Sequence, residues 1–262
     1  MTRYLHLLGV ELRLSIATSM QYRSNFVVDG FVSLLWTTLG LVPLFVAFRA
    51  RPAMSGWTFD EALVVVAWFT LLKGLLDGAV SPSLLQVVDQ IRQGTLDFVL
   101  LKPADSQFLV STARFELWKG LDALAAIAVF VAAFVRLGRA PSASGLAVAA
   151  ALLACATLVL YSVWILVIAA AFWVVRLDNL AYLFSSLFDF ARWPATMFKG
   201  VVRVIFTVVV PLAVLTTYPA EALLGRLAPS TAAFSIAGSI AFAWLARRVW
   251  LFAIRRYTSA SS

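Results

Sequence analysis

Few of the residue patterns that perform chemistry in enzymes occur in this sequence. Its 13 glycines form no G-x-x-x-x-G-K-[ST], G-x-G-x-x-G or G-x-S-x-G pattern, so the common nucleotide-binding and nucleophile motifs are absent. The single histidine, His6, and the single cysteine, Cys155, argue against a metal site and exclude a disulfide within the chain. We therefore expect no catalytic residues, and any energy that the protein uses must come from a partner or an ion gradient.

Lys73 and Asp77 are charged residues whose spacing suggests a role. They are four residues apart, so on a helix their side chains face each other and can form an ion pair. Gly74 and Gly78 form a G-x-x-x-G pattern, which allows another helix to approach closely. Ionisable residues within apolar segments are functional candidates by default. We predict an intramembrane pair here, and we favour charge neutralisation and packing over a proton or ion relay.

These charges lie in a chain that has the composition of an integral membrane protein. Of its 262 residues, 62% are hydrophobic and 13% are charged, and the mean hydropathy is +0.93. Soluble domains are about 45–50% apolar and about 25% charged, so a water-soluble fold would have to hide too many apolar side chains. The formal net charge is +8, but the basic residues are scattered between apolar runs. This pattern favours cytoplasmic loops and anionic lipid over nucleic acid.

Six apolar segments are long enough to cross a membrane, because a hydrocarbon core of ~30 Å needs ~20 helical residues. The predicted spans are Phe26–Phe48, Glu61–Gly78, Glu116–Val135, Gly145–Val175, Leu180–Trp193 and Thr231–Ile254. Twelve Lys or Arg residues then lie in inner loops and eight in outer loops, which favours both termini in the cytoplasm. We predict an all-α integral membrane fold in which residues 1–262 form a single transmembrane domain. The Arg- and Ala-rich composition favours a bacterial cytoplasmic (inner) membrane.

Residues 1–25 predict a helix that lies at the membrane interface. An apolar stripe recurs there at helical spacing, at Leu5, Leu8, Leu12 and Ile16. The opposite side is also partly apolar, so the helix suits a position between lipid and its own protein. An ordinary cytoplasmic lead-in helix is the alternative.

Residues 83–103, between the second and third spans, predict a short amphipathic helix on the cytoplasmic side. Its apolar stripe recurs at i, i+3, i+4 and i+7, at Leu84, Val87, Val88 and Ile91. Gly94 is placed to end this helix as its C′ residue. A loop that only connected two spans would not need such a helix, so we expect it to present polar residues to a partner. An interfacial helix without a partner is the alternative.

Residues 192–225 predict a broken, re-entrant element on the outer side. The segment is apolar enough to enter the bilayer, but Pro194, Pro211 and Pro219 punctuate it and basic residues interrupt it. Non-helical backbone at membrane depth is tolerated only where protein or a cavity surrounds it. A seventh span is the alternative, but it would place the C-terminal arginines outside, against the charge bias.

Two motifs resemble those of ABC-2 type ABC transporter permeases, the membrane subunits of such transporters. The inner loop matches the pattern I-R-x-G-x-L-D…L-x-P, at Ile91, Arg92, Gly94, Leu96, Asp97, Leu101 and Pro103. The outer element matches P-L-A-x-x-x-x-Y-P-A…L-L-G, at Pro211, Leu212, Ala213, Tyr218, Pro219, Ala220, Leu223, Leu224 and Gly225. The predicted order of elements is similar over essentially the whole chain, and resembles most the ABC-2 subfamily whose chains are about as long as this one.

The resemblance implies an export permease that works as a dimer of identical or related chains. Separate ABC ATPase subunits would bind ATP and Mg, and this chain itself would bind no cofactor. The inner helix would couple to the ATPase through Asp89, Gln90, Ile91, Arg92, Gln93, Gly94, Leu96 and Asp97, with Ile91 as an anchor. The re-entrant outer element would include Pro194, Pro211, Tyr218 and Pro219. The transported substrate does not follow from the fold.

Two other functions stay open from the residues. An ion-coupled secondary transporter or channel would use Lys73, Asp77, Asp122 and Asp189, although the last two lie near predicted span ends. A structural component that anchors a cell-envelope machine would have an ATPase partner but no transported substrate. A missing ATPase partner would favour the ion-coupled transporter.

Overall fold

The computed structural model describes residues 2–21, 23–51, 53–170, 172, 185–204, 206 and 211–256. Within these residues the protein is almost entirely helical, with one two-stranded hairpin formed by β1 (Ala53–Met54) and β2 (Trp57–Thr58). The α-helices are α1 (Thr2–Gln21), α2 (Arg23–Ala50), α3 (Phe59–Leu75), α4 (Ser81–Arg92), α5 (Asp97–Leu100), α6 (Ser106–Ser111), α7 (Gly120–Leu137), α8 (Ala143–Ala170), α9 (Gly200–Val204), α10 (Tyr218–Leu223) and α11 (Pro229–Arg255).

Five helical stretches of the described residues are long and apolar enough to cross a membrane. They are Val28–Ala50, Phe59–Arg92, Leu117–Leu137, Ala143–Ala170 and Pro229–Arg255. These stretches correspond to five of the six predicted spans and confirm an all-helical membrane protein. The remaining predicted span, Leu180–Trp193, lies partly outside the described residues, so the count of six stays a prediction.

The two ends of the bundle carry different connections. The end with the β1–β2 hairpin and the α7–α8 connection is named the outer end, and the end with α5 and α6 is named the inner end. These names follow the Lys and Arg bias of the loops, which predicts the side of the membrane. Two clusters of buried side chains lie along the bundle, an outer one around Trp57 and Leu63 and an inner one around Leu72 and Trp250.

α3 is the central helix of the bundle. Every residue from 61 to 70 is buried, which explains why the sequence of α3 is apolar on all sides. α2 is equally apolar, but most of its side chains are exposed. Exposure of such a helix is expected where lipid or another membrane protein surrounds it.

The hairpin and Thr58 define where α3 begins. Ser55 and Gly56 have φ angles of 51° and 83°, as a two-residue hairpin turn requires. The Thr58 hydroxyl then accepts a hydrogen bond from the Glu61 N–H, and the Glu61 carboxylate accepts one from the Thr58 N–H at 3.0 Å. This reciprocal capping box satisfies two backbone donors at the start of the helix.

The second span differs from its predicted form at the inner end. The sequence predicts a span that stops at Gly78, followed by a separate helix. In the structure, α3 continues through a π-helical turn, Leu76–Val80, directly into α4. Pro82 explains the turn, because it has no N–H for the Gly78 carbonyl and its ring crowds that group. The Gly78 carbonyl accepts a hydrogen bond from the Glu116 N–H instead, at 2.8 Å.

Candidate functional site

A cavity of about 510 Å³ lies between α2, α3, the start of α7 and the segment that ends at Arg192. Such a volume is within the range of small-molecule sites, about 300–1,000 Å³. The cavity combines aromatic walls with charged side chains between helices long enough to span a membrane. Its lining includes Asp29, Ser33, Trp36 and Gly40 of α2, Phe69 and Lys73 of α3, and Trp118, Lys119, Asp122, Asp189 and Arg192.

Ion pairs connect the charged side chains at this cavity. Lys73 Nζ lies 3.6 Å from Asp77 and 3.9 Å from Asp189. Lys119 Nζ lies 3.6 Å from Asp77 and 3.5 Å from Asp122. Asp77 therefore stands between two lysines from different helices, and the i, i+4 pair on α3 is part of a larger network.

The network extends over two further elements. Arg192 lies 3.2 Å from Asp189, and the Ser33 hydroxyl of α2 donates a hydrogen bond to Asp122. The Asp122 side chain is only 6% exposed, so these partners supply the hydrogen bonds and charge that a buried carboxylate needs. The network thus joins α2, α3, α7 and the 189–192 segment.

Gly74 and Gly78 allow α3 and α7 to approach closely enough for these contacts. A Cβ on Gly74 would lie 2.9 Å from the Asp122 Cβ, and one on Gly78 would lie 3.0 Å from the Lys119 Cβ. Both distances are too short for a normal carbon contact, so a larger residue would push the helices apart. The close helix contact predicted from G-x-x-x-G is confirmed.

A second cavity, of about 750 Å³, lies towards the inner end between α1, α2, α4 and residues 113–118. Asp29 and Trp118 line both cavities. Their position, where the two cavities meet, is named the neck. Asp29 and Trp118 are therefore common to the walls of both cavities. The first cavity is named the intramembrane cavity, because the helices around it are long enough to span a membrane.

The chain from α4 to Glu116 forms the inner element, residues 81–116, and its first helix ends at a glycine. Gly94 has a φ of 68°, and its N–H donates to the Ile91 carbonyl at 3.3 Å. The Thr95 N–H donates to the Gln90 carbonyl at 2.9 Å. These two bonds form a Schellman motif, and the predicted role of Gly94 in ending the helix is confirmed.

The tip of the inner element exposes two large apolar side chains. Phe98 is 71% exposed and Leu101 is 80% exposed. In the same inner element, Asp89 and Arg92 of α4 and Gln93, which directly follows α4, are also exposed. Exposed apolar side chains with polar neighbours are typical of protein contacts.

A polar clamp holds the inner element on α8 and α11. The Arg247 guanidinium of α11 donates to the Asp105 carboxylate and, at 2.8 Å, to Gln107 Oε1. The Gln107 amide donates to the Tyr161 hydroxyl of α8 at 2.8 Å, and Ser111 Oγ lies 2.8 Å from the same hydroxyl. The clamp therefore ties α6 to two long helices.

Asp105 is ionised within this clamp. Partial burial opposes its ionisation, but hydrogen bonds from the Arg247 guanidinium and from the Phe108 and Gln107 N–H groups outweigh that effect. The pKa of the Asp105 carboxyl therefore lies below its ordinary value of 3.8. The Asp105 N–H also donates to the Tyr4 hydroxyl at 3.2 Å, which ties the start of α1 to the same loop.

The return segment of the inner element, residues 114–116, is fixed on α1 and α4. The buried Ser83 hydroxyl donates to the Arg114 carbonyl at 2.6 Å and accepts from the Arg114 N–H at 2.9 Å. The Ser15 hydroxyl of α1 accepts from the Phe115 N–H at 3.2 Å. The inner element is thus attached to α1 and α4, two helices that line the second cavity.

A second group of ion pairs closes the outer end. The Glu61 side chain is 8% exposed, pairs with Arg226, and lies 3.9 Å from Arg139. Asp60 pairs with Arg136. These contacts join the start of α3 to the end of α7 and to the connection between α10 and α11.

The described part of residues 192–225 is a broken helix. It contains a 3₁₀ turn, Ala195–Met197, the helix α9, a π-helical turn, Ala213–Thr217, and α10. Pro219 follows its π turn by two residues, as Pro82 does. The predicted outer residues differ in burial: Pro194 and Pro219 are buried, whereas Pro211 and Tyr218 are partly exposed.

Threonine side chains hold the pieces of this segment together. The Thr216 hydroxyl donates to the Ala191 carbonyl at 2.6 Å, and the Thr217 hydroxyl accepts from the Ala195 N–H at 2.9 Å. These bonds satisfy backbone groups that the breaks in the helix leave open, as an apolar environment requires.

The sequence profile of the ABC-2 family transporter proteins matches residues 34–261. The chain belongs to the ABC-2 transporter family. No curated protein and no solved structure matches the chain at a significant level. Family membership makes the protein a transporter permease. Such a permease is an integral membrane component and is not itself catalytic. The family implies association with an ABC ATPase.

In this ABC-2 permease, several residues singled out in the sequence come together and others do not. Asp122 and Asp189, named only as acids of a relay, join Lys73 and Asp77 in one network. Among the coupling candidates, Gln90, Ile91, Gly94 and Asp97 are partly exposed. Ile91 packs against the inner cluster of buried side chains, and Leu96 is fully buried in that cluster.

Sequence reasoning missed two groups of residues in the ABC-2 permease. Lys119 and Arg192 belong to the charge network, and the signals in the sequence were two i, i+3 spacings, of Lys119 with Asp122 and of Asp189 with Arg192. Phe98 was not singled out, and Leu101 was noted only as part of a motif. Their exposure could have been suspected from a short apolar run between Asp97 and Lys102.

Proposed function

We propose that the chain is the permease of an ATP-driven exporter and that the inner element docks on a separate ATPase subunit. The observation that carries this proposal is the exposed tip of the inner element, Phe98 and Leu101, together with the exposed polar residues at the end of α4. Large apolar side chains are costly to leave in water. A partner that binds ATP and Mg, which the ABC-2 family implies, would cover them.

The attachments of the inner element support a coupling role. The clamp at Arg247 ties α6, which follows the tip in the chain, to α8 and α11, and Ser83 and Ser15 tie the return segment to α4 and α1. A displacement of the tip by an ATPase would therefore be felt by helices around the neck. Allosteric transmission of this kind needs two states of the permease with different contacts. The hydrogen bonds of Arg247 with Asp105 and Gln107 are contacts that could form in one state and break in the other.

We further propose that two permease chains, identical or related, enclose the translocation path. The support is the exposed apolar surface of α2, including Phe31 and Phe45, which a second chain or lipid would cover. The single cysteine, Cys155, is buried, so new cysteines at Phe31 and Phe45 can be cross-linked without interference. Cross-linked dimers at these positions and none at Phe234 of α11 support α2 as the interface.

The same proposal sets the orientation. Both termini lie in the cytoplasm of a bacterial cell, α1 lies at the inner membrane interface, and residues 192–225 form the re-entrant outer element. The Lys and Arg bias of the loops supports this orientation. Accessibility of Ser24→Cys and Arg51→Cys to a membrane-impermeant thiol reagent in intact cells tests it, with labelling expected only at position 51.

Photo-cross-linking tests the docking proposal directly. A photoreactive amino acid at Leu101 should capture the ATPase subunit, whereas the same residue at Val131, an exposed position in the middle of α7, should capture none. Equal capture at both positions, or none at Leu101 in a preparation that contains the ATPase, would contradict docking at the tip.

Ion-coupled transport is a second candidate, and the charge network favours it. Connected acids and bases between spans are the usual components of proton and ion relays. Transport that continues without ATP and stops when the proton gradient collapses would favour this candidate. Transport that stops on ATP depletion while the gradient is intact would favour the exporter.

A further inference from the structure

We propose that the intramembrane cavity binds an amphiphilic organic cation. Its positive head would lie at the neck beside Asp29 and Trp118, and its apolar body would pack on Trp36 and Phe69. This inference rests on the proposed transport function, for which it names the class of substrate.

The charged groups at the cavity carry an excess of negative charge. Among the described residues that line or bridge it, three are basic, namely Lys73, Lys119 and Arg192, and four are acidic, namely Asp29, Asp77, Asp122 and Asp189. The whole chain, by contrast, has a net charge of +8. A surplus carboxylate between spans is unfavourable unless a cation neutralises it, so the cavity selects for positive ligands.

Asp29 is the carboxylate in excess. Asp77, Asp122 and Asp189 each lie within 4.0 Å of a basic side chain, at the distances given above. Asp29 has no ion pair with any residue that the structure describes, and its side chain is exposed to both cavities. The unneutralised charge therefore stands at the neck, where a ligand that enters from the inner end would meet it first.

The aromatic walls suit a cation with an apolar body. Lys119 Nζ already lies 4.2 Å from the centre of the Trp118 ring, and the Arg192 guanidinium lies 5.2 Å from that of Phe69. These contacts show that the rings here present their faces to positive charge, as cation–π binding requires. Trp36 of α2 lines the cavity and is 69% exposed, so its indole ring offers an accessible apolar surface to a ligand.

The test compares two probes of the same shape and opposite charge, tetraphenylphosphonium and tetraphenylborate. The full chain, purified in mild detergent, is titrated with each probe by calorimetry, and protein-free micelles are subtracted. We expect saturable binding of the cation about tenfold or more tighter than that of the anion, a difference of at least ~1.4 kcal/mol. Equal or tighter binding of the anion, or no saturable binding of the cation, would overturn the proposal.

Variants locate the site. Asp29→Asn should weaken cation binding about tenfold and leave anion binding unchanged or stronger, whereas Glu11→Gln, at an acid that lines neither cavity, should bind as the wild type does. Asp29→Asn with wild-type affinity would refute the placement of the head. If that variant does not fold, the comparison of the two probes on the wild type still decides. The binding assay contains no ATPase, so a negative result in it does not contradict docking on the ATPase. Cross-linking at Leu101 tests docking separately.

Discussion

Replacement of Glu61 tests whether the outer end is held by its ion pairs. Glu61 both caps α3, through Thr58, and neutralises Arg226 and Arg139. Glu61→Gln keeps a side-chain oxygen for the capping box but loses the charge. Thr58→Ala removes the Thr58 half of the cap and keeps the charge, and Glu61→Ala removes both functions. The three variants therefore separate the contribution of the ion pairs from that of the cap.

The expected magnitudes follow from burial. Loss of one partner of a fully buried pair costs about 3–5 kcal/mol. Glu61 is 8% exposed, but Arg226 is 39% and Arg139 50% exposed, so solvent screening lowers the figure to ~2 kcal/mol for Glu61→Gln. The cap alone contributes ~1 kcal/mol. At ~2–4 °C per kcal/mol, the midpoint temperature should fall ~4–8 °C in Glu61→Gln and ~2–4 °C in Thr58→Ala.

The assay is the temperature at which half of the purified protein stays monodisperse after heating in detergent. Arg226→Gln should destabilise the wild type but add little to Glu61→Gln, since the two residues share one interaction. A Glu61→Gln variant that is more stable than Thr58→Ala, or fully additive effects of Glu61→Gln and Arg226→Gln, would refute the account of the outer end.

Arg92→Glu should reduce co-purification of the ATPase about tenfold without affecting membrane insertion, because the reversed charge would repel a partner surface that complements Arg92. Asp77→Ala should destabilise the protein, and Lys73→Ala should restore only part of the loss, because a second lysine also lies 3.6 Å from Asp77. Gly74→Ala should cost about 1–3 kcal/mol by overpacking. The Asp105 clamp should contribute stability above pH 3.8 and lose it as pH falls through the lower folded pKa, a dependence that Asp105→Asn removes.

Each of these predictions has a control and a contrary outcome. Arg51→Glu, at the outer end, should not affect co-purification, and an unaffected Arg92→Glu would count against the docking surface. Full rescue of Asp77→Ala by Lys73→Ala would show that the ion pair of Lys119 with Asp77 contributes nothing to stability. Gly9→Ala is a matched control, because nothing lies within 4 Å of its added Cβ; equal stability of both Gly variants would refute close packing. Parallel stability curves of the wild type and Asp105→Asn between pH 6 and 3 would refute the clamp.

Local features of the fold could be predicted from the sequence. The long apolar runs predicted five helices, because a membrane span needs a fixed length of apolar helix. The boundaries agree within a few residues except at the inner end of the second span, where the helix runs on to Arg92 instead of stopping at Gly78. Gly94 could be identified as a helix terminator, since glycine adopts positive φ without strain. The contact at Gly74 and Gly78 followed from the same kind of local pattern.

Features that depend on tertiary contacts could not be predicted. The partner of Glu61 is Arg226, 165 residues away, and no local spacing connects them. The continuity of α3 and α4 depends on a donor for the Gly78 carbonyl, which the Glu116 N–H supplies only after the inner element folds back. The cavity network likewise needs α3 and α7 to pack before Lys119 can reach Asp77.

We propose that a separate ATPase drives this permease through the inner element. The most direct measurement is to purify the tagged chain from its own cells in mild detergent, identify what co-purifies by mass spectrometry, and measure vanadate-sensitive ATP hydrolysis. We expect a stoichiometric ATPase with a P-loop, and we expect it to be lost when Phe98 and Leu101 are both replaced by Asp. A monodisperse chain that reproducibly carries no ATPase, or an ATPase that both replacements leave bound, would contradict it.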